Sequence, residues 1–240
     1  MFFVFNKRKI QSYLISLGMV IMLFGASIFV SNNNNTLLTS SMIANSPINK
    51  VETERKEVAL SINCIENVDN ISSLVDSLSK MKVKATFYIT GELASKYPEE
   101  VKKIVNNGNE LGNLSYKYIS LEDKSEEEIS EQISKCTKIL EDISGSKITT
   151  FRAPYGEYND TIIKQARSQN LEVIQWNIDS LDYNGLNEDE MIERINQNLT
   201  PGSIILMHNS SKNTAQSIEN IIHNITEQGY EITTVSDLIS

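Results

Sequence analysis

Apolar and polar positions along residues 51–240 follow two patterns, one typical of buried strands and one typical of amphipathic helices. The runs 58–62 and 203–207 are short and almost continuously apolar, as expected of strands that are buried on both faces. In 71–81 and 126–143 apolar residues recur three and four positions apart, which predicts helices with one buried face. Strands and helices alternate through this part of the chain, and this alternation predicts a parallel sheet.

The pattern as a whole predicts seven strands that alternate with helices. The predicted strands are 58–62, 83–89, 110–113, 148–151, 171–176, 203–207 and 230–235. The predicted helices are 71–81, 98–108, 126–143, 159–168, 188–198 and 214–228. This number of units favours a small βα-barrel, in which functional side chains lie at the carboxyl ends of the strands.

Side chains that can bind an anion or transfer a proton follow three of these strands. Arg152 follows the fourth strand and precedes a Pro-Tyr-Gly turn, Asp179 and Asp182 follow the fifth, and His208 follows the sixth. An arginine fork can hold a carboxylate or an acyl oxygen, and histidine is the usual general acid or base near neutral pH. We expect the four side chains to converge, with the aspartates orienting His208 and raising its proton affinity.

Each of these residues also has a purely structural interpretation. Arg152 would then be a surface residue of an ordinary strand-to-helix turn, and Asp179 and Asp182 would cap their loop. His223, the other histidine of the predicted domain, falls inside a predicted helix and is interpreted as a packing or surface residue.

The charge of the chain is distributed asymmetrically. Residues 51–240 hold 18 basic and 31 acidic residues, a net charge of −13. A domain of this charge argues against nucleic acid and an anionic membrane surface as partners, and it is compatible with a neutral or amino-bearing substrate.

The first fifty residues predict a membrane anchor and a linker. Residues 1–9 form a basic stub, and residues 10–30 are 21 positions without a charge, enough for a transmembrane helix. The basic cluster predicts that the domain lies on the extracytoplasmic side of the cell membrane. A cleavable signal peptide is the alternative, although its apolar region is normally shorter. Residues 31–50, rich in Asn and Ser, predict a disordered linker before a folded domain at 51–240.

The chain contains two cysteines, Cys64 and Cys136. A disulfide is compatible with an extracytoplasmic location. Cys64 is predicted at a strand end and Cys136 within a helix, which gives no geometric reason to pair them, so two free thiols are favoured.

Three motifs resemble, in order and spacing, those of the polysaccharide deacetylase family, the NodB homology domain. The family's Arg-Pro-Pro-Tyr-Gly motif is similar to Arg152–Gly156, with Ala153 in place of the first proline. Its Asp-x-x-Asp-Trp motif is similar to Asp179–Tyr183, and its Leu-x-His motif to Leu206–His208. Over residues 58–238 the resemblance implies a distorted (β/α)7-type barrel and hydrolysis of N-acetyl groups on polysaccharides.

The resemblance also implies roles for the motif residues. Leu206 would line an acetyl pocket, His208 would protonate the leaving amine, and Arg152 would hold the catalytic base. The implied catalytic residues are His208, Asp179, Asp182 and Arg152. The implied substrate-binding residues are Leu206, Tyr155, Tyr183 and Pro154.

Four residues, here called the base-and-metal positions, depart from the family pattern. The family carries two aspartates on its first strand, a base and a metal ligand, where this chain has Asn63 and Cys64. Two family histidines complete the metal site, where this chain has Leu114 and Tyr118. A catalytic zinc needs about three protein ligands and a water, and an amide cannot take a proton from water at neutral pH. We therefore predict that the family's zinc or other divalent metal is absent and that no cofactor is bound.

These departures leave three hypotheses. In the first, the chain is an inactive deacetylase-fold protein of sporulation that binds peptidoglycan N-acetyl sugars or a cell-wall protein partner. The anchor, the missing histidines and the sequence Tyr-Lys-Tyr at 116–118 resemble the membrane-anchored, sporulation-associated members of the family. In the second, it is a metal-independent carbohydrate N-deacetylase with Asp179 or Asp182 as base and His208 as acid. In the third, the motif residues only hold loops.

Overall fold

The strand β1, Glu57–Cys64, lies at the centre of the sheet. The structure is a computed structural model that describes residues 46–240. From Val58 onward every residue of β1 is buried, because neighbouring strands pair with both of its edges and its two faces are covered. The nearly continuous apolar run of this strand is the composition that such an environment requires.

Within the described residues eight strands form one sheet. After β1 they are β2 Thr86–Ile89, β3 Glu110–Asn113, β4 Thr150–Phe151, β5 Glu172–Val173, β6 Ile178–Asp179, β7 Ile204–His208 and β8 Glu231–Thr233. The order across the sheet is β5-β4-β3-β2-β1-β7-β6, and β8 pairs with the beginning of β1. All of these ladders are parallel, so the carboxyl ends of the strands meet at one edge.

The helices pack their apolar stripes against this sheet. They are α1 Ile71–Met81, α2 Gly91–Lys96, α3 Pro98–Asn106, α4 Glu126–Ser144, α5 Asp160–Ser168, α6 Glu188–Asn198, α7 Lys212–Glu227 and α8 Val235–Ile239. A capping box between Ser125 and Glu128 begins α4, and the predicted cap Asn159 begins α5 by accepting a hydrogen bond from the Ile162 N–H. The bounds of α1 and α6 are those predicted from the sequence.

The parallel α/β prediction is confirmed, and the distortion of the barrel takes the form of a curled, open sheet. Within residues 46–240 no ladder joins β5 to β6. Only residues 174–177 separate these two strands, whereas parallel neighbours need a crossover of about a dozen residues or more. The two strands therefore remain at the two ends of the sheet.

Residues 48–51 lie against both sides of this opening, so the linker prediction extends too far. Ile48 forms a bridge to Ile174 and Lys50 forms one to Ser203. The Val51 carbonyl packs so closely on Gly202, whose φ is +80°, that a Cβ at residue 202 would overlap it. The folded unit accordingly begins at Pro47 and not at residue 51.

The pattern missed α2, α8 and β6, because such short elements contain too few apolar positions for a repeat to be recognised. The predicted stub 1–9, anchor 10–30 and most of the linker lie outside the described residues. Among residues 46–240, no helix combines the length and the apolar character needed to cross a bilayer.

Candidate functional site

A cavity of about 460 Å³ opens at the carboxyl ends of β1, β6 and β7. Its lining includes Asn63, Tyr118, Tyr155, Trp176, Asp179, Tyr183, Leu206 and His208. Seven of these residues were singled out from the sequence, and they come from five separate segments. The parallel sheet brings them together because it places all of its carboxyl ends at one edge.

His208 is held by a set of residues that we call the histidine network, consisting of His208, Asp182, Tyr183 and Thr214. The Asp182 Oδ1 atom lies 2.9 Å from His208 Nδ1 and accepts the Tyr183 N–H at 2.9 Å. The Asp182 Oδ2 atom accepts the His208 backbone N–H at 2.7 Å and the Thr214 hydroxyl. The four lone-pair positions of this carboxylate are therefore occupied, and the His208 ring is fixed with Nδ1 as the donor.

Asp182 is buried beneath His208, with 2 % of its surface exposed, and it is not among the residues that line the cavity. A base must reach the water from which it removes a proton. The structure thus excludes Asp182 as the base of the second hypothesis and makes it a positioning group for the imidazole.

Asp179 lines the cavity, but its carboxylate forms its hydrogen bonds with groups other than His208. Its Oδ1 accepts the Leu181 N–H at 2.9 Å, and its Oδ2 accepts the Tyr183 hydroxyl at 3.1 Å. Burial and the neighbouring Asp179 carboxylate raise the pKa of Tyr183, so its hydroxyl remains a donor at neutral pH. In the described structure Asp182 orients His208, whereas Asp179 orients Tyr183, whose ring meets the imidazole edge-on at 5.1 Å.

Arg152 is completely buried, which corrects its interpretation as a surface residue at a turn. Its guanidinium donates to Asn63 Oδ1 at 3.0 Å, to Ser61 Oγ at 2.9 Å and to the Gln175 carbonyl oxygen at 3.2 Å. Its Cζ lies 4.1 Å from the centre of the Tyr88 ring. Burial lowers the pKa of Arg152 to about 10, so the side chain is still charged at neutral pH.

The groups that accept hydrogen bonds from Arg152 are neutral. Arg152 therefore holds the amide of Asn63 at the position where the family has the carboxylate of its base. Asn63, the acceptor at the implied base position, is the register partner of His208 across the β1–β7 ladder. The two side chains share one cavity, as neighbours on adjacent parallel strands do. Arg152 lies behind Asn63 and is not part of the cavity lining.

Cys64 and Leu114, two of the base-and-metal positions, are packed into the protein interior. Both residues are fully buried and neither is part of the cavity lining. Cys64 belongs to the main hydrophobic core, where burial raises the pKa of its thiol, and Leu114 packs in a second cluster with Tyr88. Cys64 and Cys136 are both free thiols, as favoured from the sequence.

Tyr118, the remaining position, faces the cavity, but its hydroxyl oxygen already accepts the Tyr155 N–H at 3.2 Å. Burial raises the pKa of this phenol, which keeps it protonated. Within residues 46–240, no group of three His, Cys, Asp or Glu side chains could hold one ion. An amide, a buried thiol, an alkyl chain and a neutral phenol do not fit the family's divalent cation.

Three of the four implied substrate-binding residues line the cavity, and one does not. Tyr155 and Tyr183 expose 56 % and 54 % of their surface, so their rings are available to a ligand, while Leu206 is 2 % exposed at the cavity wall. Pro154 is buried within the turn and lies outside the lining, because its ring starts the short helical turn Pro154–Gly156. Tyr155 itself has a φ of +59°, and its ring packs at 4.4 Å from that of Tyr118.

Sequence reasoning missed Ser61, Trp176 and Thr214. Trp176 is the only tryptophan of the chain and ends a predicted strand, which was a usable signal. Ser61 and Thr214 gave no such signal, since each acts through a partner distant in sequence: Ser61 receives Arg152, and Thr214 holds Asp182.

Residues 50–174 match the family model of polysaccharide deacetylase. A peptidoglycan-N-acetylglucosamine deacetylase of Bacillus cereus is 31 % identical over 188 residues, which are 77 % of this chain and 68 % of that protein. A peptidoglycan-N-acetylmuramic acid deacetylase of Bacillus subtilis is 33 % identical over 188 residues, or 78 % of this chain. The match spans only 40 % of the length of that second relative.

Solved structures show the same relationship. A CE4 family pseudoenzyme from Bacillus anthracis has a TM-score of 0.79 at 28 % identity, covering 82 % of this chain and 69 % of that one. A mutant of that pseudoenzyme with restored enzymatic activity has the same TM-score. The chain is thus similar both to peptidoglycan deacetylases and to a pseudoenzyme of their fold.

Proposed function

Because the chain belongs to the polysaccharide deacetylase family, we propose that it acts on the cell wall as a glycan-binding member with impaired hydrolysis. Its ligand is the glycan of peptidoglycan with its N-acetyl sugars. The cavity provides aromatic rings at Tyr155, Trp176 and Tyr183, which suit the apolar faces of sugar rings. No cofactor takes part in this function.

The observation that carries the proposal is the amide of Asn63 at the base position. Its Oδ1 accepts from Arg152, and an amide has no basic lone pair with which to deprotonate water. Leu114 and Cys64, where cation ligands are needed, are packed away from the cavity. The aromatic lining of the cavity and His208 are retained although the base and the cation ligands are not. This supports binding more than hydrolysis.

A second candidate is a metal-independent N-deacetylase, a hydrolase of carbon–nitrogen bonds other than peptide bonds. The observation in its favour is that Asp179 and His208 line one cavity, with the imidazole oriented by Asp182. Asp179 would be the base and His208 the acid. Both oxygens of Asp179 already accept hydrogen bonds, which weakens this assignment.

The location and the biological setting are also part of the proposal. Lys7, Arg8 and Lys9 before an uncharged run support a single-pass anchor, with the domain on the extracytoplasmic side of the cell membrane. The resemblance to sporulation-associated members supports a role in the envelope of the forespore or the mother cell. A cell-wall protein is the alternative partner for the exposed aromatic rings.

Co-sedimentation of the purified full-length chain with peptidoglycan sacculi tests the proposal. We expect the chain to pellet with the sacculi and to be released by an excess of soluble N-acetylated oligosaccharide. A chain that stays in the supernatant, and that also captures no cell-wall protein from sporulating cells, would contradict both forms of the binding function.

A further inference from the structure

The chain contains two Asn-Gly pairs, Asn107–Gly108 and Asn184–Gly185. In such a pair the backbone nitrogen of the glycine can attack the side-chain amide carbon of the asparagine, because glycine has no Cβ to obstruct the approach. The reaction requires an asparagine side chain that is free to rotate and a glycine N–H that is weakly held. The two pairs of this chain differ in both respects.

The Asn107 side chain is held in place just after α3. Its Nδ2 donates to the Lys103 carbonyl oxygen at 2.9 Å, and its Oδ1 accepts from Ser79 Oγ at 3.3 Å. The Gly108 N–H donates to the Val105 carbonyl oxygen at 2.8 Å. These three hydrogen bonds must break before the glycine nitrogen can reach the amide carbon of Asn107, so this pair is protected.

The Asn184 side chain lies in an exposed turn beside the cavity and is held far less. It belongs to the short helical turn Asp182–Asn184, and both Asn184 and Gly185 are exposed. Within residues 46–240 its amide has no hydrogen-bond partner. The Gly185 N–H donates to the Asp182 carbonyl oxygen at a longer distance, 3.2 Å. Among the described residues beyond its chain neighbours, no atom lies within 4 Å of the place that a Cβ on Gly185 would occupy, so the approach is open.

We propose that Asn184 is a site of spontaneous modification and that its conversion alters the wall of the cavity. The Gly185 nitrogen forms a bond to Asn184 Cγ while the bond from Cγ to Nδ2 breaks, and ammonia leaves with the proton of the Gly185 nitrogen. Water then opens the five-membered cyclic imide. Breaking the bond from nitrogen to Cγ gives aspartate, and breaking the bond from nitrogen to the main-chain carbonyl carbon gives isoaspartate. The sequence is redox-neutral, and water is its only other reactant.

The turn that is modified carries two groups of the site. Asp182 positions His208, and Tyr183 lines the cavity. The Asp182 carbonyl oxygen, which accepts the Gly185 N–H, also accepts Ser211 Oγ at 3.1 Å, so the turn is tied to the beginning of α7. Isoaspartate lengthens the main chain by one carbon between Tyr183 and Gly185 and adds a carboxylate. The turn then cannot close with the same geometry, and the Tyr183 ring shifts relative to His208.

Peptide mapping by mass spectrometry tests the conversion. The purified full-length chain is aged in mildly alkaline buffer, which favours loss of the backbone proton, and the aspartyl and isoaspartyl forms are separated by chromatography. We expect Asn184 to convert at least about tenfold faster than Asn107 in the folded chain, since the Asn107 pair must break more hydrogen bonds. In urea the two rates should be similar. Equal rates in the folded chain, an unmodified Asn184, or a tenfold difference that persists in urea would overturn the inference.

Two variants separate the effects of the conversion on the cavity. Asn184→Gln keeps an amide, but attack on it would have to close a less favourable six-membered ring, so it should not convert. Asn184→Asp introduces the charge without lengthening the main chain. The measurements are the NMR signals of the His208 ring, which the Tyr183 ring meets edge-on at 5.1 Å, and calorimetric affinity for the tetramer of N-acetylglucosamine.

The aged wild-type chain should show shifted His208 signals and about fivefold weaker binding of the tetramer, as expected when an aromatic ring leaves its place. Asn184→Asp should show a smaller change, and Asn184→Gln should not change with age. Unshifted His208 signals in a chain that carries isoaspartate at residue 184 would overturn the effect on the cavity. Conversion of Asn184 depends on the turn alone, and only the change in affinity rests on the proposed glycan-binding function. A fresh chain that binds no tetramer would therefore contradict that function, while the His208 signals would still decide the effect of the modification.

Discussion

The histidine network and the base-and-metal positions adjoin across the β1–β7 ladder, yet they differ in how their polar groups are used. In the network, Asp182 meets four donors and holds His208 facing the cavity. At the base-and-metal positions, Cys64 and Leu114 are buried in hydrophobic clusters, and Asn63 is neutral. One region is a complete polar network, while in the other two positions have become part of the core and the two that face the cavity, Asn63 and Tyr118, are neutral.

This difference shows that the departures from the family pattern are structurally compensated. A cation site stripped of its ion would leave like charges close together, whereas here the residues are apolar or neutral and well packed. The side chains at these positions therefore carry no cluster of negative charge that an ion would have to balance. The side chains that line the cavity are suited to holding a ligand. Variants in the histidine network and at the base-and-metal positions should therefore behave differently.

The largest effect is expected from Arg152→Ala, which removes the support of Asn63. The free energy of unfolding in urea should fall by about 3–5 kcal/mol, because buried acceptors lose their donor and a large void remains. Arg55→Ala, at an ion pair with 59 % of the arginine side chain exposed, should cost less than about 1 kcal/mol. Similar losses in the two variants would show that Asn63 does not depend on the buried guanidinium.

A slightly smaller loss is expected from Asp182→Ala in the histidine network. Several donors would lose their charged acceptor, so stability should fall by about 2–4 kcal/mol. The NMR signals of the His208 ring should broaden as its orientation is released. Asp142→Ala, at an exposed pair with Lys138, is the control and should change stability by less than about 1 kcal/mol. A sharp, unshifted His208 spectrum in Asp182→Ala would contradict the positioning role.

Glycan affinity should respond to the exposed tyrosines of the cavity, while stability falls by only about 1 kcal/mol, the worth of one exposed hydrogen bond. Tyr155→Ala and Tyr183→Ala should each weaken binding of the N-acetylglucosamine tetramer about fivefold to tenfold, since each removes a ring that can pack on a sugar. Tyr158 is 45 % exposed but lies outside the cavity lining, so Tyr158→Ala should bind like the wild type. Equal effects of all three changes would place the glycan elsewhere.

The smallest effect concerns the rate at which a thiol reagent modifies Cys64 and Cys136. Burial raises the pKa of the Cys64 thiol and raises that of Cys136 to about 12, so neither should react with a thiol reagent at neutral pH while the chain is folded. Both should react once the chain is unfolded in denaturant. Rapid modification of Cys64 in the folded chain would mean that the end of β1 opens to the cavity, and the contrast between the two regions would weaken.

Much of the fold followed from apolar periodicity, because long amphipathic helices and doubly buried strands carry strong patterns. The helices Ile71–Met81 and Glu188–Asn198 have the predicted bounds. The opening between β5 and β6 could not be predicted, since the sequence indicated one strand over 171–176 and gave no signal for β6, which follows β5 after a link of four residues. The boundary near residue 47 was also missed, because the bridge of Ile48 is a backbone contact that leaves no side-chain pattern.

Some of the side chains that meet at the cavity could be predicted from the sequence, but their burial and orientation could not. Strand ends and the family motifs pointed to His208, Asp179 and Leu206 at one cavity, where the structure places them. The sequence could not show that Arg152 lies fully behind Asn63, because burial depends on how distant strands pack. Nor could it show that the Asn63 N–H is left without a partner, which only the geometry of Arg152 decides.

Acetate release tests the central claim most directly. The purified full-length chain is incubated with peptidoglycan that it binds, once with added zinc and once with a chelator, and acetate is measured per mole of chain. Binding without catalysis predicts no acetate above the protein-free blank in either condition. Sustained release over many turnovers that is abolished by His208→Ala would contradict it and establish an active deacetylase.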